Sequence, residues 1–251
     1  MRKKKEVKRK AQITIFVIIG VLIVSFILAY FFSIREHPES DISPIINPLH
    51  NYISTCVKNT GEEAIYYIGT TGGYVAPPVN YSTDLDIAYY IYQGKDLMPD
   101  KEILEKELSL YMDNFLYYCL EDFRDFPDFS VKYKDLKTLA KIDDNKVSFN
   151  VEFPLTVTKD KKKYFFKNFY AEVPVRLGKI YNIAKEIKDE QMKRDDVCLT
   201  CLYTLSEENN VTIHMLEASN DSIVFLINDN KSKLYQRDYS FYFANKLRSE
   251  K

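Results

Sequence analysis

The sequence predicts an α+β fold: an N-terminal transmembrane helix, followed by a domain in which helices pack on an antiparallel sheet. Three observations lead to this prediction. Residues 13–34 form a run of twenty-two positions without a charge. Two long stretches with apolar residues at helical spacing lie before residue 124, and three stretches of alternating apolar and polar residues follow Pro127. Because helices and strands are segregated along much of the chain, an α+β arrangement is favoured.

The apolar run is long enough to cross a bilayer. At ~1.5 Å rise per residue, a helix over 13–34 spans about 33 Å, which matches the hydrocarbon core. A cleaved secretory signal would have a shorter apolar stretch and small residues at the cut site. Residues 29–32, AYFF, offer no such site, so we predict a retained helix with an aromatic belt at its outer end.

The charge distribution predicts the orientation of the chain. Seven of the first ten residues are Lys or Arg, and such residues are retained in the cytoplasm. With Glu6 the tail carries +6; since the whole chain carries −1, the remainder carries −7, which argues against nucleic-acid binding. We predict a cytoplasmic tail over 1–10, a transmembrane helix over 11–34, a polar linker over 35–43 and an extracellular domain over 44–251.

The junction Lys10-Ala11-Gln12, followed at once by the apolar run, resembles the leader of archaeal type IV pilin-like proteins. In that family a basic leader ends in Lys-Gly-Gln and a membrane peptidase cuts before the Gln. The resemblance therefore implies cleavage between Ala11 and Gln12, after which the apolar helix anchors the subunit or enters a filament core. Pilins usually carry Glu at the fifth mature position, where this chain has Phe16, a departure that bears on filament assembly more than on cleavage. The alternative is an uncleaved anchor.

A short glycine element follows the first predicted helix of the domain. Gly72-Gly73-Tyr74, with Cys56 before it, is similar to an element of uncharacterised single-pass proteins of small-genome archaea, a resemblance that implies no known activity. We consider this element a candidate binding loop. The end of a helix explains its glycines equally well.

The first part of the domain, 44–123, is predicted to be mainly helical. A helix should start with Ser43 as N-cap and Pro44 in its first turn, with Gly61 as a possible interruption. Residues 86–93 are rich in β-formers and predict a short strand. Pro99-Asp100 then opens a second helix that runs to about residue 123.

The second part, 128–251, is predicted to be rich in sheet. Its elements are an antiparallel meander of strands over 130–142, 146–158 and 163–175, a helix over 177–194, strands over 211–217 and 222–228, and an aromatic run over 239–243. The alternation is clearest in the second strand, where Val147, Phe149, Val151 and Phe153 should share a buried face.

The chain has four cysteines, Cys56, Cys119, Cys198 and Cys201, all in the predicted exterior domain, where thiols oxidise. Of the three possible pairings we favour Cys56–Cys119 with Cys198–Cys201, because the first pair lies on two apolar helix faces. Such a bridge would stabilise the fold by roughly 3–5 kcal/mol in the chain-entropy model. A four-cysteine zinc site and a redox-active Cys198-Leu199-Thr200-Cys201 pair are the alternatives.

Four further positions are candidates for modification. Asn80, Asn210, Asn220 and Asn230 each begin an Asn-x-Ser/Thr sequon, although such triplets also arise by chance in an Asn-rich chain. His37, His50 and His214 are too dispersed for a metal cluster or a catalytic triad, and no catalytic or phosphate-binding motif occurs. We therefore expect no catalytic residue, no metal and no cofactor.

The sequence favours a non-enzymatic, single-pass membrane protein at the cell surface. Its extracellular domain would serve attachment, envelope structure or partner binding. The alternatives are a type IV pilin-like filament subunit and an extracellular thiol-disulfide redox protein. Expected partners are the lipid bilayer and, through the apolar helix, other surface proteins or further copies of the chain.

Overall fold

The computed structural model describes residues 20, 23–24, 44–194, 196–218 and 222–246. The predicted tail 1–10, the linker 35–43, the processing residues Ala11 and Gln12 and the sequon residue Asn220 lie outside these residues, as does nearly all of the predicted transmembrane helix. Among the helices in the described ranges, none is both long and apolar enough to cross a membrane.

The chain divides into two compact units, Met1–Asn47 and Pro48–Lys251. In the first unit, Gly20, Ile23 and Val24 are helical and exposed. The second unit is an α+β domain in which helices pack against two sheets. The α+β class predicted from the sequence is therefore confirmed for this unit.

From residue 44 on, the described residues form four α-helices and nine strands. The helices are α1 (Asn47–Thr70), α2 (Lys101–Leu120), α3 (Leu177–Gln191) and α4 (Leu199–Asn209). The strands are β1 (Tyr89–Tyr92), β2 (Lys95–Asp96), β3 (Ser130–Tyr133), β4 (Lys137–Ile142), β5 (Val147–Lys159), β6 (Lys162–Val173), β7 (Thr212–Ala218), β8 (Ser222–Leu234) and β9 (Arg237–Lys246).

Helix α1 buries an apolar stripe with residues every three or four positions, including Leu49, Ile53 and Ile65. It begins at Asn47 rather than at Pro44. Gly61 does not interrupt it: a Cβ there would lie 2.8 Å from the Phe149 ring, so the glycine lets the helix approach the sheet.

The first sheet consists of β3, β4, β5 and β6 and is antiparallel throughout. Strand β6 pairs with one side of β5, while β4 and β3 lie end to end along the other side. The predicted single strand over 130–142 is therefore wrong. The pairing of β5 with β6 has a register shift between Glu152 and Leu155, next to Pro154, at the level where the other edge of β5 changes its partner from β4 to β3.

The second sheet has the order β2-β1-β9-β8-β7. Strand β1 pairs with β9 in parallel, and the other neighbours are antiparallel. The prediction of antiparallel pairing alone is therefore wrong for this sheet. The two parallel strands come from opposite ends of the domain, and an alternating apolar pattern carries no information on such a distant partner.

The apolar faces of both sheets belong to one core. Phe149 and Phe153 enter it from the first sheet, and Phe225, Phe241 and Phe243 from the second. The Phe225 and Phe243 rings stack with centroids 5.1 Å apart.

Helix α2 covers the outer edge of β4 with a polar stripe. Side chains at every fourth position of the helix accept hydrogen bonds from backbone N–H groups at every second position of the chain: Tyr117 from Leu136 (3.1 Å), Asp113 from Thr138 (2.7 Å), Ser109 from Ala140 (2.9 Å) and Glu105 from Ile142 (3.0 Å). The spacings match because four helical residues advance ~6 Å and two strand residues about 6.6 Å. The stripe protects an edge that would otherwise attract another strand.

Two further helices differ from the prediction. Helix α3 ends at Gln191 rather than at 194. Helix α4 was not predicted at all. It is short and buries only Leu202 and Leu205, so its apolar pattern is too weak to identify from the sequence.

Candidate functional site

A groove of about 560 Å³ lies on the outer face of the first sheet, across β4, β5 and β6. Leu139, Asn150 and Tyr170 face each other across the three strands and line it. Leu139 is 66 % exposed and Tyr170 is 53 % exposed. The outer face of this sheet thus presents two large apolar groups to solvent.

A second groove, of about 520 Å³, lies between α2 and β4. Leu139 lines both grooves and forms the ridge between them. Leu110 of α2 is exposed in the second groove. Burial raises the pKa of Asp113 here, although hydrogen bonds from Thr138 oppose this effect.

We call these two grooves together the paired-groove surface. Its apolar centre is Leu110, Leu139 and Tyr170, and its charged rim is Glu105, Lys137, Lys141 and Glu152. Three charges of the rim are already paired: Lys141 Nζ lies 3.1 Å from Glu105 Oε2, and Lys167 Nζ lies 3.0 Å from Glu152 Oε1. The Tyr170 side chain is also fixed, because its hydroxyl donates a hydrogen bond to Glu172, which raises the pKa of the tyrosine.

The paired-groove surface was not predicted from the sequence. In β4 the buried positions are Thr138, Ala140 and Ile142, so Leu139 occupies the solvent side of an alternating strand. An apolar residue on the polar face was the signal available in the sequence. This signal alone does not predict a surface, because the strand pairing that places Tyr170 across β5 from Leu139 is not evident from the sequence.

The second candidate site is the disulfide between Cys198 and Cys201, at the start of α4. Cys198 is the N-cap of the helix, and its sulfur accepts a hydrogen bond from the Cys201 backbone N–H at 3.2 Å. Both cysteines are half-buried, and Leu199 and Tyr203 beside them are 63 % and 68 % exposed. A thiolate at a helix N-terminus is stabilised by the N–H groups and the helix dipole.

The other disulfide joins Cys56 of α1 to Cys119 of α2, the pairing favoured from the sequence. Cys56 is buried, and the Tyr52 hydroxyl donates a hydrogen bond to the Cys119 carbonyl at 2.7 Å. The cysteines therefore stand as two separate bonded pairs. Within the described ranges no group of three or more His, Cys, Asp or Glu side chains could hold a metal ion.

The candidate binding loop Gly72-Gly73-Tyr74 ends α1. Both glycines are buried and have positive φ, +76° and +97°, and the Gly73 N–H donates to the Ile68 carbonyl at 2.7 Å. A Cβ on Gly73 would lie 3.2 Å from Leu104. This geometry favours the structural explanation of the glycines, that of a helix end.

The sequons have different surroundings. Asn210 follows α4 and Asn230 lies in β8, and both are exposed. In the Asn230 sequon, however, Ser232 is buried and its hydroxyl donates to Asp229. The backbone of Asn80 lies in a short 3-10 helix, and Asn220 lies outside the described residues.

The two histidines in the described ranges, His50 and His214, lie in different elements. His50 packs against the Phe166 and Phe169 rings, with centroids 5.4 and 5.5 Å away, and burial lowers its pKa. His214 lies in β7 of the second sheet, and His37 lies outside the described residues.

Comparison of the chain with protein-family models, with curated proteins and with solved structures finds no match. The paired-groove surface is suited to contact with another macromolecule, and the Cys198–Cys201 pair is suited to exchange with thiols.

Proposed function

We propose that this chain is a single-pass, membrane-anchored surface protein whose extracellular domain binds a partner protein through the paired-groove surface. The exposure of Leu139 between the two grooves is the observation that carries the proposal. A large apolar side chain on the solvent face of a strand lowers solubility without contributing to the core. Its position is understandable if a partner covers it.

The composition of the surface supports a protein partner. Protein interfaces have an apolar centre, often with an aromatic anchor, and a polar rim that remains partly solvated. Leu139 and Tyr170 supply the centre. Because the rim carries both Lys137 and Glu152, the expected partner presents an apolar side chain flanked by charges of both signs.

The location outside the cell is supported by two features. The uncharged run over 13–34 follows a strongly basic tail, which predicts an exterior C-terminal domain. All four cysteines are paired, as is usual for proteins in oxidising compartments. Protease added to intact cells should therefore digest the domain, and a protected domain would contradict the proposed topology.

The binding surface can be tested by site-specific crosslinking. A photo-reactive amino acid replaces Leu139 in the full chain, and intact cells are irradiated. We expect one discrete crosslinked protein, which disappears when Tyr170→Ala is added to the same chain. Leu85, another leucine, is 75 % exposed in the segment before β1 and is the matched control position. No product at 139, or the same product from both positions, would contradict the proposal.

A second candidate function is thiol-disulfide exchange at Cys198 and Cys201. It is favoured by the N-cap position of Cys198 and by the exposed Leu199 and Tyr203, which would contact an unfolded or extended substrate. In this reaction the substrate is a protein dithiol. Its first thiolate attacks one sulfur and breaks the Cys198–Cys201 bond, forming a mixed disulfide. Its second thiolate then releases the chain as a dithiol, so the substrate is oxidised by two electrons and the chain is reduced.

This second function has a direct assay. The full chain in detergent is mixed with a reduced peptide that contains two cysteines, and peptide disulfide is quantified by mass spectrometry. One equivalent per chain should form, and none should form with the Cys198→Ser/Cys201→Ser variant. Equal oxidation by the variant, or a disulfide that resists the peptide, would rule this function out.

A further inference from the structure

The hairpin of β5 and β6 ends in an exposed basic cluster around one aromatic ring. Its turn, Asp160-Lys161, has positive φ at both residues, 50° and 64°. Lys161, Lys162 and Lys163 are exposed, and Phe165, two residues further, is 73 % exposed. Phe165 is the most exposed phenylalanine of the described residues.

The register of the sheet surrounds Phe165 with lysines. Phe165 lies opposite Thr156 of β5, and Thr156 lies opposite Lys132 of β3, so these three side chains share the outer face. With ~4.8 Å between strands, Lys132 is about 10 Å from Phe165 across the sheet. Lys163 and Lys167 lie two positions before and after the ring along β6.

Most of these charges are not neutralised. Within the described ranges, Lys132, Lys161, Lys162 and Lys163 make no ion pair, whereas Lys167 pairs with Glu152 at 3.0 Å. Asp160 is the single acidic residue between 159 and 167. The hairpin end thus differs from the paired-groove surface, whose rim carries both signs.

The outer edge of β6 is unpaired within the described part of the chain, which raises the question of whether another strand binds there. The arrangement argues against such pairing. Lysines along an edge strand and a nearby irregularity in its pairing both discourage the addition of a strand. The lysines alone would explain this protection, but they do not explain a solvent-exposed Phe165 in their midst.

We propose that this hairpin end docks on an anionic lipid surface, with Phe165 entering the interface and the lysines contacting the headgroup phosphates. Lysines near an anionic bilayer are attracted to it, and aromatic rings are enriched at the membrane–water interface. The combination of apolar insertion and unneutralised positive charge is typical of peripheral membrane contacts. The proposal rests on the membrane anchoring proposed above, which keeps the domain beside a bilayer, but it does not require partner binding at the paired-groove surface.

The chain contains no tryptophan, so one introduced tryptophan reports on its own surroundings alone. The full chain carrying Phe165→Trp is inserted in nanodiscs of pure phosphatidylcholine, or of phosphatidylcholine with phosphatidylglycerol. We expect a blue shift of emission and reduced acrylamide quenching in the anionic discs relative to the neutral discs. High salt should reverse the change, since it screens the lysines.

Two variants provide controls. Tyr203→Trp places the reporter at a comparably exposed site on α4 and should show no difference between the discs. Lys162→Glu with Lys163→Glu in the Phe165→Trp chain should abolish the shift while leaving the circular dichroism spectrum unchanged. Identical emission from the Phe165→Trp chain in both discs, or an equal shift from Tyr203→Trp, would overturn the proposal.

The same experiment separates the two proposals. A chain that fails to enter the discs contradicts membrane anchoring. In that case the Phe165→Trp chain is titrated with vesicles of the two compositions, and the hairpin proposal still requires a blue shift with the anionic vesicles alone. A chain that enters the discs but shows no shift contradicts only the hairpin proposal.

Discussion

Arg176 and Asp229 form an ion pair that joins the start of α3 to the irregular part of β8. Arg176 Nε donates to Asp229 Oδ2 at 2.9 Å, and a terminal guanidinium nitrogen donates to the other carboxylate oxygen. The Asp229 side chain is fully buried, and Ser232 donates to it as well. Arg176 also donates to the carbonyl oxygens of Asn209 and Asn210 at the C-terminal end of α4. The Asp229 carboxylate therefore connects β8 to the start of α3 and, through Arg176, to the end of α4.

Removal of this carboxylate should destabilise the domain strongly. Asp229→Ala leaves the guanidinium of Arg176, which is largely buried, without its partner, and such a change costs about 3–5 kcal/mol. The control is Asp238→Ala, which breaks an exposed pair with Lys233 and should cost about 0–1 kcal/mol. Urea unfolding measures both. A loss for Asp229→Ala as small as that of the control would show that the buried pair does not stabilise the fold.

The same pair predicts a pH dependence. Burial raises the pKa of Asp229, but hydrogen bonds from Arg176, Ser232 and the Lys231 backbone outweigh it, so the net pKa is lowered. A folded pKa below the unfolded value of about 3.9 gives stability that is complete above that pH and is lost as the pH falls through the folded pKa. The free energy of unfolding, measured between about pH 5 and about pH 2, should fall less steeply for Asp229→Asn. An unchanged slope would assign the acid sensitivity to other groups.

The two disulfides should differ in their contributions to stability. The Cys56–Cys119 bond closes a loop with a sequence separation of 63, so its removal should cost about 4 kcal/mol in the chain-entropy model. The Cys198–Cys201 bond has a separation of 3 and should contribute about 2 kcal/mol at most. Paired Cys→Ala variants, compared by thermal unfolding, test the order. The reverse order would show that the short bridge has the main structural role.

The polar stripe of α2 should be sensitive to a single hydroxyl. Ser109→Ala leaves the buried Ala140 N–H without an acceptor, which costs about 1–3 kcal/mol. The exposed Lys106→Ala on the same helix should change stability by less than about 0.5 kcal/mol. Hydrogen exchange at the Ala140 amide offers a local measurement and should be faster in Ser109→Ala. Equal exchange rates would show that the Ser109 hydroxyl does not protect the Ala140 amide.

The mature N-terminus distinguishes a retained anchor from a processed pilin-like subunit. For the anchor we expect the basic tail 1–10 to remain on the chain, because it holds the apolar segment in its orientation. Intact-mass spectrometry of the purified chain gives the answer directly. A start at Gln12 would support the pilin-like route, with Ala11→Leu as the variant that should block cleavage.

Local patterns predicted much of the fold. The alternation in β5 identified its buried face, because Phe149 and Phe153 lie on one side of a strand that packs on a single layer. The apolar stripes identified α1 and α2, and the position of Cys56 and Cys119 on those stripes favoured their pairing. In each of these cases the buried residues recur at the period of the helix or strand that contains them, so the pattern can be recognised in the sequence.

Features that depend on distant neighbours were not predicted. The parallel pairing of β1 with β9 joins segments about 150 positions apart, and no local pattern encodes it. The paired-groove surface requires Leu139 and Tyr170 to meet across β5. Helix α4 was missed because Cys198 begins it as an unusual N-cap and only two of its side chains are buried.

The position of β9 has a consequence for the order in which the domain is assembled during synthesis. This strand lies in the middle of the second sheet, between β1 and β8, yet it comes after both in the chain. The first sheet can close once Val173 has emerged, whereas β1 must wait for more than seventy further residues before its parallel neighbour exists. The nascent chain therefore exposes the Tyr90 side of β1 until β9 has emerged, and apolar surface exposed at that stage favours aggregation.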